Sequence, residues 1–377
     1  MGAALHIVGE TLTGTRKRPG ASEPRRWTVL ERFALADDLT PGQFSVGYKV
    51  EDQAGAQAFM KVSDLDLLTG GEGSVLQRIA AAAQAHTFER KVLDYCHGNN
   101  MDRVVTAIDY GESRVSFDGN IDILFFLIFE LAQGDIRRQV NSNRRADFIW
   151  CLGALHQLGV AISQLHSGGI CHNDIKPANF LLFDDELQKL ADLGRATSSS
   201  VVAGIHEDRH DIGDPTYAAP EVIYANTDDR KSSLCEVEGR RASDLYQLGS
   251  IAWFMVTGRM VTPTIIDRLA PEHRPLTPAG GWSEGLDGIV PYWREAQSRA
   301  LEDEFVPALD DAVPGGSVAA KQSFKDAVLQ LIECEPSLRG HPLNRTGHQN
   351  RLGTERYVAL FDLLRRELLV RGNQLAG

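Results

Sequence analysis

The sequence predicts an α+β chain in two lobes: a small antiparallel sheet carrying one long helix, followed by a larger, mainly helical part. Three observations lead there. Short β-like runs separated by turn residues extend from Trp27 to Val62. A long Ala- and Leu-rich stretch with apolar residues at helical spacing then interrupts them, and helical patterns dominate after Gln133. With 377 residues, 43% of them apolar, the chain is long enough to fill a substantial core. The expected organisation is a basic, flexible arm over 1–26, a front lobe over 27–133, a rear lobe over 134–345, and a C-terminal helix over 346–377 packed on the rear lobe.

Taken in order, the arm rests on "TGTRKRPGASEPRR", which is Gly-rich and basic. The first sheet runs are "WTVLERFAL", "FSVGYKV" and "AQAFMKV". "SVLQRIAAAAQAHTFERKVLDYC" reads as a single helix ending near His97 and Gly98. Two further strands follow, "RVVTAIDYGE" with "SRVSF" and the continuous apolar "IDILFFLIFEL", the pattern of a buried strand. Beyond them, "FIWCLGALHQLGVAISQLHS" has one apolar face, and "SDLYQLGSIAWFMVTG" is apolar nearly all round and so expected to be deeply buried. "HRPLTPAGG" and "AVPGG" read as surface loops.

The formal net charge of −12 argues against nucleic acid as a partner, because phosphate neutralisation needs clustered Lys and Arg. The five cysteines are scattered with no CxxC pair, which suggests neither a zinc knuckle nor a disulfide framework. A reduced, cytoplasmic setting is the expectation. "ILFFLIF" and "IAWFMVTG" are too short to span a bilayer, so no membrane span is expected. Gly2 is followed by His6 where a myristoylation pattern wants Ser or Thr, and no signal-peptide apolar region follows.

The chemistry-bearing stretch is "GGICHNDIKPANFLL", Gly168 to Leu182. Here His172, Asp174, Lys176, Pro177 and Asn179 fall within one turn-like segment after an apolar run, and "ADLGRA" follows with Asp192. The segment resembles the catalytic loop of the eukaryotic-type protein kinases, H-R-D-x-K-x-x-N, with Asp192 where that family has the Asp of D-F-G. The resemblance implies a bilobed protein-kinase-like fold with this loop at the seam. Phosphoryl transfer asks for a carboxylate to orient the attacking hydroxyl, a cation near the transferred phosphate, and oxygen ligands for magnesium. The resemblance assigns those roles to Asp174, to Lys176, and to Asn179 with Asp192.

Further matches extend it over most of residues 30–345. "GDPTYAAPE", Gly213 to Glu221, resembles G-T-x-x-Y-x-A-P-E; "SDLYQLG" supplies Asp244, expected to hold the catalytic loop by its backbone; "ECEPSLRGHP" supplies Arg339, expected to pair with Glu221. "AFMKV" resembles the strand that carries the α/β-phosphate lysine, Lys61, and "FERKVL" resembles R-E-x-x-x-L, giving Glu89 as its partner with Glu72 as the nearest rival. Leu93, His172 and Leu193 are expected to stack in the apolar spine that couples the lobes. In "FELAQGD", Phe129 resembles a gatekeeper. Glu130 and Ala132 would offer backbone groups to adenine, and Asp135 would lie near the ribose, act as a helix N-cap, or do both.

Three departures from the family pattern stand out. "TPGQFSVGYKV" keeps Gly42 alone of three loop glycines, with Thr40 and Ser45 in the other places. Gly47 stands where a Val normally covers adenine and Phe59 where a small Ala is usual, a volume swap that preserves an adenine ceiling. Asn173 replaces the Arg of H-R-D, which implies activity independent of a phosphate on the activation segment. "TSSS", 197–200, offers autophosphorylation sites or a plain solvated loop. Thr216 together with Lys176 resembles the Ser/Thr-directed branch. The resemblance thus implies an ATP- and Mg2+-dependent Ser/Thr protein kinase acting on protein hydroxyls. A pseudokinase scaffold and a small-metabolite kinase are the alternatives; substrate, pathway and oligomeric state are not readable.

Overall fold

The computed structural model describes residues 3–16, 23–33, 45–63, 74–117, 120–142, 147–183, 187–201, 204, 206–209, 212–225, 236–278, 280–313, 317–346 and 350–376. The chain divides into a first unit, Met1–Gln133 with Val201–Ile205, and a second, Gly134–Ser200 with His206–Gly377.

Among the described residues, the first unit is a six-stranded antiparallel sheet with one α-helix. Its strands are β1 (Thr11–Thr13), β2 (Arg26–Arg32), β3 (Ser45–Asp52), β4 (Gln57–Ser63), β5 (Ala107–Phe117) and β6 (Asn120–Glu130), in spatial order β1-β2-β3-β4-β6-β5. The period-2 alternation puts Trp27 and Val29 of β2, Val46, Tyr48 and Val50 of β3, and Ala58, Met60 and Val62 of β4 on one buried face with Phe126 and Ile128 of β6. Trp27 is anchored at its polar end, its indole donating to Asp109 Oδ2 at 2.9 Å. Between β4 and β5 runs α1 (Val75–Gly98), started by a capping box in which Ser74 and Gln77 bond each other's backbone N–H.

The expected flexible arm needs correction over residues 3–16. Ala4, Ile7 and Leu12 are buried in the sheet's core, β1 pairs with β2, and the Tyr48 hydroxyl donates to Ala4 O at 2.6 Å. The reason is burial of apolar area: three spaced apolar side chains close one end of the sheet. The basic residues 17–18 lie outside the described residues. Gly111 explains how β5 runs unbroken through a glycine: a Cβ there would lie 2.6 Å from Phe126 Cζ and 3.0 Å from Thr13 O, so the close approach excludes a side chain.

The second unit opens with β7 (Gly134–Asp135) and α2 (Ile136–Ser142), then α3 (Phe148–Ser167), capped by Asp147, whose side chain accepts the Ile149 N–H. Short antiparallel pairings follow: β8 (Ile170–Cys171) with β11 (Thr197–Ser198), and β9 (Phe180–Phe183) between β10 (Leu187–Leu190) and β7. The remainder is helical: α4 (Pro220–Ile223), α5 (Val237–Thr257), α6 (Val261–Ile266), α7 (Leu286–Ala300), α8 (Val306–Ala312), α9 (Val318–Leu331), α10 (Pro342–Arg345) and α11 (Glu355–Ala376).

Buried α5 is the hub. Gly249 lets α9's end approach it, since a Cβ there would sit 2.6 Å from Ile332 Cγ2. Trp253 stacks on Phe305, Phe305 on Phe324, and Phe324 meets Phe361 of α11. On α3, Gly159 admits Val358 of α11, and Thr354 donates to Gly159 O at 2.9 Å. By length and composition α3 would pass for a membrane span, yet Leu152, Leu155, Leu158, Ile162 and Leu165 are all buried in this unit.

Candidate active site

In the first unit, Lys61 projects from β4, with Gly47 of β3 and Leu127 of β6 as its cross-strand neighbours. Its ammonium donates to both oxygens of Glu89 on α1, at 2.8 and 3.0 Å, and the Glu89 side chain is buried. The pairing therefore goes to Glu89; the rival Glu72 lies outside the described residues. One turn earlier on α1, His86 sits 5.7 Å from the Phe125 ring. Burial lowers its pKa to about 4, with Arg90 and Lys61 adding to the effect, so it stays neutral beside the ion pair.

The Gly47 and Phe59 exchange is visible as packing. A Cβ on Gly47 would lie 2.8 Å from Phe59 Cε2. Phe59 itself stands in a row with Phe33 at 5.7 Å and Phe129 at 6.3 Å between ring centroids. One large side chain thus occupies space vacated by another position. Gly47→Val should cost about 1–3 kcal/mol through overpacking, and a second change, Phe59→Ala, should restore most of that loss in a thermal-melt double-mutant cycle. Additive losses would show that the two positions are not coupled. Gly42 and Thr40 lie outside the described residues. Glu130 is the last residue of β6, its carboxylate 3.3 Å from the Thr106 N–H, and Ala132 follows in the same unit.

In the second unit, the segment after β8 is held by α5. Asp244 accepts the His172 N–H on Oδ2 at 2.9 Å and the Asn173 N–H on Oδ1 at 2.8 Å, while His166 Nε2 meets Oδ2 at 2.8 Å. Gln247, one turn on, accepts from Ile175 N and donates to Asn173 O. His172 Nδ1 accepts the Asp174 N–H, which leaves Nε2 as the protonated nitrogen, donating to Ala191 O at 3.0 Å. That bond ties the loop to the residue before Asp192.

Asn173 adopts φ 65°, a left-handed conformation that Asn tolerates better than most residues. Its amide donates to Cys171 O, Arg195 O and Thr197 Oγ1. Where the resembled family has an Arg, this side chain is spent inside the fold. It also removes Thr197 from the candidate modification sites, since Thr197 is buried in β11, whereas Ser199 and Ser200 are exposed. Farther along the same segment, buried Arg240 of α5 donates from one nitrogen to the carbonyls of His206, Glu207 and Arg209.

Asp174 is buried, and its Oδ2 lies 3.2 Å from Lys176 Nζ and 3.6 Å from Arg195 Nη1. Burial raises its pKa, against the pull of Lys176 and Arg195. Asn179 donates to Asp174 O at 2.9 Å and more weakly to Oδ2 at 3.4 Å. Asp192 sits at φ 65°, ψ 73°, a costly conformation for a residue with a side chain and one that concentrates at functional sites. Asp135 N-caps α2, its Oδ1 accepting the Arg138 N–H at 2.9 Å.

Two contributors escaped the sequence. Gln247 is one. The other is Asp214, whose backbone N–H donates to Asp174 Oδ1 at 2.9 Å and whose Oδ2 lies 3.7 Å from Lys176. Thr216, which with Lys176 resembles a mark of the Ser/Thr-directed branch, donates its hydroxyl to Asp214 Oδ1 at 2.6 Å, and it is Asp214 that lies beside Lys176. The reason is spacing: in "GDPTY" it is Asp214 that stands second, where the family pattern has Thr. Downstream, Glu221 and Arg339 form a bidentate pair at 2.6 and 2.8 Å.

Residues 74–274, more than half of the chain, match the family described as "Protein kinase domain". The chain belongs to the protein kinase family. Among similar proteins, Serine/threonine-protein kinase PKZ1 of Phytophthora infestans is 26% identical over 373 residues, covering 92% of this kinase and 85% of that one. Serine/threonine-protein kinase mph1 of Schizosaccharomyces pombe is 39% identical over 104 residues, or 27% of this chain and 15% of the other. Dual specificity protein kinase TTK of Mus musculus is 34% identical over 120 residues, 32% and 14% respectively. This kinase therefore spans only a small part of the latter two relatives. The bilobed α+β kinase fold, an antiparallel sheet unit followed by a mainly helical one, agrees with that membership.

Proposed function

We propose that this protein kinase is catalytically competent, uses ATP with Mg2+, and phosphorylates Ser or Thr hydroxyls of proteins. The observation that carries the reading is the buried Asp174 carboxylate, held with Lys176 at 3.2 Å and braced by Asn179 on a loop that Asp244 fixes. Names of relatives such as PKZ1 and mph1 support the Ser/Thr assignment.

The residues present fit a magnesium ion by their donor chemistry. Asn179 commits its Nδ2 to Asp174 O, which turns its carboxamide oxygen the other way, and Asp192 adds a carboxylate; hard oxygen donors suit a hard divalent cation. Bound there by Asn179 and Asp192, the ion would neutralise charge on phosphate oxygens. The protein's own share is positioning and charge. Asp174 accepts a hydrogen bond from the acceptor hydroxyl and aims its oxygen. Lys176 stabilises charge on the transferring group. Lys61, kept in place by Glu89, binds the non-transferred phosphates, and the Phe33, Phe59 and Phe129 row with the backbone of Glu130 and Ala132 receives adenine. Asp135 keeps its N-cap and also meets the ribose. Gly42 contributes a backbone amide to the phosphates.

The bonds from Asn173 to Arg195 and Thr197, and from Arg240 to His206, Glu207 and Arg209, support activity without a phosphate on that segment. Ser199 and Ser200 are the autophosphorylation candidates. The reading includes a cytoplasmic site of action, which cell fractionation tests.

Lys61→Met should lower kcat/KM for ATP by about 10²-fold, the loss expected when a charge-assisted phosphate contact goes. Phosphoamino-acid analysis after transfer from γ-labelled ATP checks both points. Label on Ser or Thr, diminished in the variant, supports the reading; ATP binding with no transfer returns it to a pseudokinase, and transfer only to metabolites to a small-molecule kinase.

A further inference from the structure

Among the described residues, Lys176 and Arg195 stand around Asp174 as cations, with Asp214 and Asp192 as further carboxylates. Lys176 lies between Asp174 Oδ2 at 3.2 Å and Asp214 Oδ2 at 3.7 Å, and Arg195 stands 3.6 Å from Asp174. The family pattern has neutral Thr where this chain has Asp214, so the second carboxylate is a feature of this chain. It is also firmly built. Gly213 takes φ 97° and passes so close to the catalytic loop that a Cβ would lie 2.3 Å from Asn173 O. Asp214 then donates its N–H to Asp174 Oδ1, and its own Oδ1 is filled by the Thr216 N–H and hydroxyl at 3.0 and 2.6 Å. Only Oδ2 is turned to Lys176.

Resting on the kinase reading above, we infer that Asp214 is a positioning residue that shares the Lys176 ammonium with Asp174 and so sets where that charge stands during transfer. The physical reason is competition. A lysine with one anionic neighbour collapses onto it, and here that neighbour is the carboxylate needed to accept the acceptor hydroxyl's hydrogen bond. A second buried carboxylate at comparable distance divides the attraction. Lys176 is thereby held off full pairing with Asp174, and Arg195 balances the added negative charge. Because Asp214 touches neither acceptor nor nucleotide in this account, its loss acts on the transition state rather than on binding.

The test compares wild type with Asp214→Asn, Asp214→Thr and Lys176→Met, alone and combined. Asp214→Asn should lower kcat by about 10-fold with peptide KM changed less than about 2-fold, the split expected of an interaction realised in the transition state. Asp214→Thr should fall with it, since a hydroxyl carries no charge. In the Lys176→Met background Asp214→Asn should cost nothing further. A separate readout needs no turnover: the 15N–1H signal of the Lys176 ammonium, assigned by its loss in Lys176→Met, should move or broaden in Asp214→Asn. An unmoved signal, or full kcat in either Asp214 variant, overturns the inference. If wild type transfers no phosphoryl group, the kinase reading fails by itself, and the ammonium signal alone decides on Asp214.

Discussion

Asp174→Ala should reduce phosphoryl transfer by about 10³-fold while leaving ATP affinity nearly unchanged, because a carboxylate that orients the attacking hydroxyl contributes about 10²–10⁴-fold. The fold around it should tolerate the change. Asp174 offers Oδ1 to the Asp214 N–H and Oδ2 to Lys176, yet the loop keeps its independent anchors: Asp244 to the N–H groups of 172 and 173, and Gln247 to residues 173 and 175. Burial already disfavours the ionised carboxylate, so removing it also relieves a desolvation cost. Melting temperature close to wild type with transfer lost is therefore the expected pair of results. Retention of more than about a tenth of the wild-type kcat would show that the hydroxyl is oriented by another group.

The largest expected loss of stability lies elsewhere, at Arg339→Met. The Arg339 guanidinium is fully buried, bidentate to Glu221, and donates to the carbonyls of Glu333 and Ala242. Removing it takes the bidentate donor from the buried Glu221 carboxylate and a charged donor from two carbonyls inside the second unit, a change that costs about 3–5 kcal/mol. Arg339→Lys should recover only part, since an ammonium cannot match both carboxylate oxygens in one plane. Arg339→Met combined with Glu221→Leu should be more stable than Arg339→Met alone, because the buried carboxylate goes together with its guanidinium. Thermal melting of the purified variants separates these cases; a shift no larger than that of an exposed pair such as Arg294 with Glu333 would contradict the assignment.

Much of this architecture is written in local pattern. Period-2 runs mark β2, β3 and β4, and helical spacing marks α1, α3 and α5, because one buried face per element leaves a readable repeat. The site residues Asp174, Lys176 and Asn179, and the pairing of Lys61 with Glu89, are legible through the resemblance of their short motifs to those of the protein kinases. What the sequence hid depends on contacts between distant segments. Asp214 reaches Asp174 across forty positions and Gln247 reaches Ile175 across seventy-two, and neither residue type announces its role. The arm reading rests on the basic, Gly-rich "TGTRKRPGASEPRR", and only the packing against the sheet shows Ala4, Ile7 and Leu12 to be core residues. Asn173 reads as a missing Arg; its real meaning, three hydrogen bonds that close the loop, needs the fold. Arg240 reads as one charge among many on α5 until its three carbonyl partners are seen.

The most direct test of catalytic competence is a single-turnover reaction of phosphatase-treated protein with γ-labelled ATP and Mg2+ on a Ser/Thr peptide mixture, comparing wild type with Asp192→Asn. The account predicts label on Ser or Thr with wild type at once, without prior modification of the 195–209 segment, and loss of that label in Asp192→Asn. Tight ATP binding by wild type with no label on any acceptor, or equal labelling by both proteins, would contradict it.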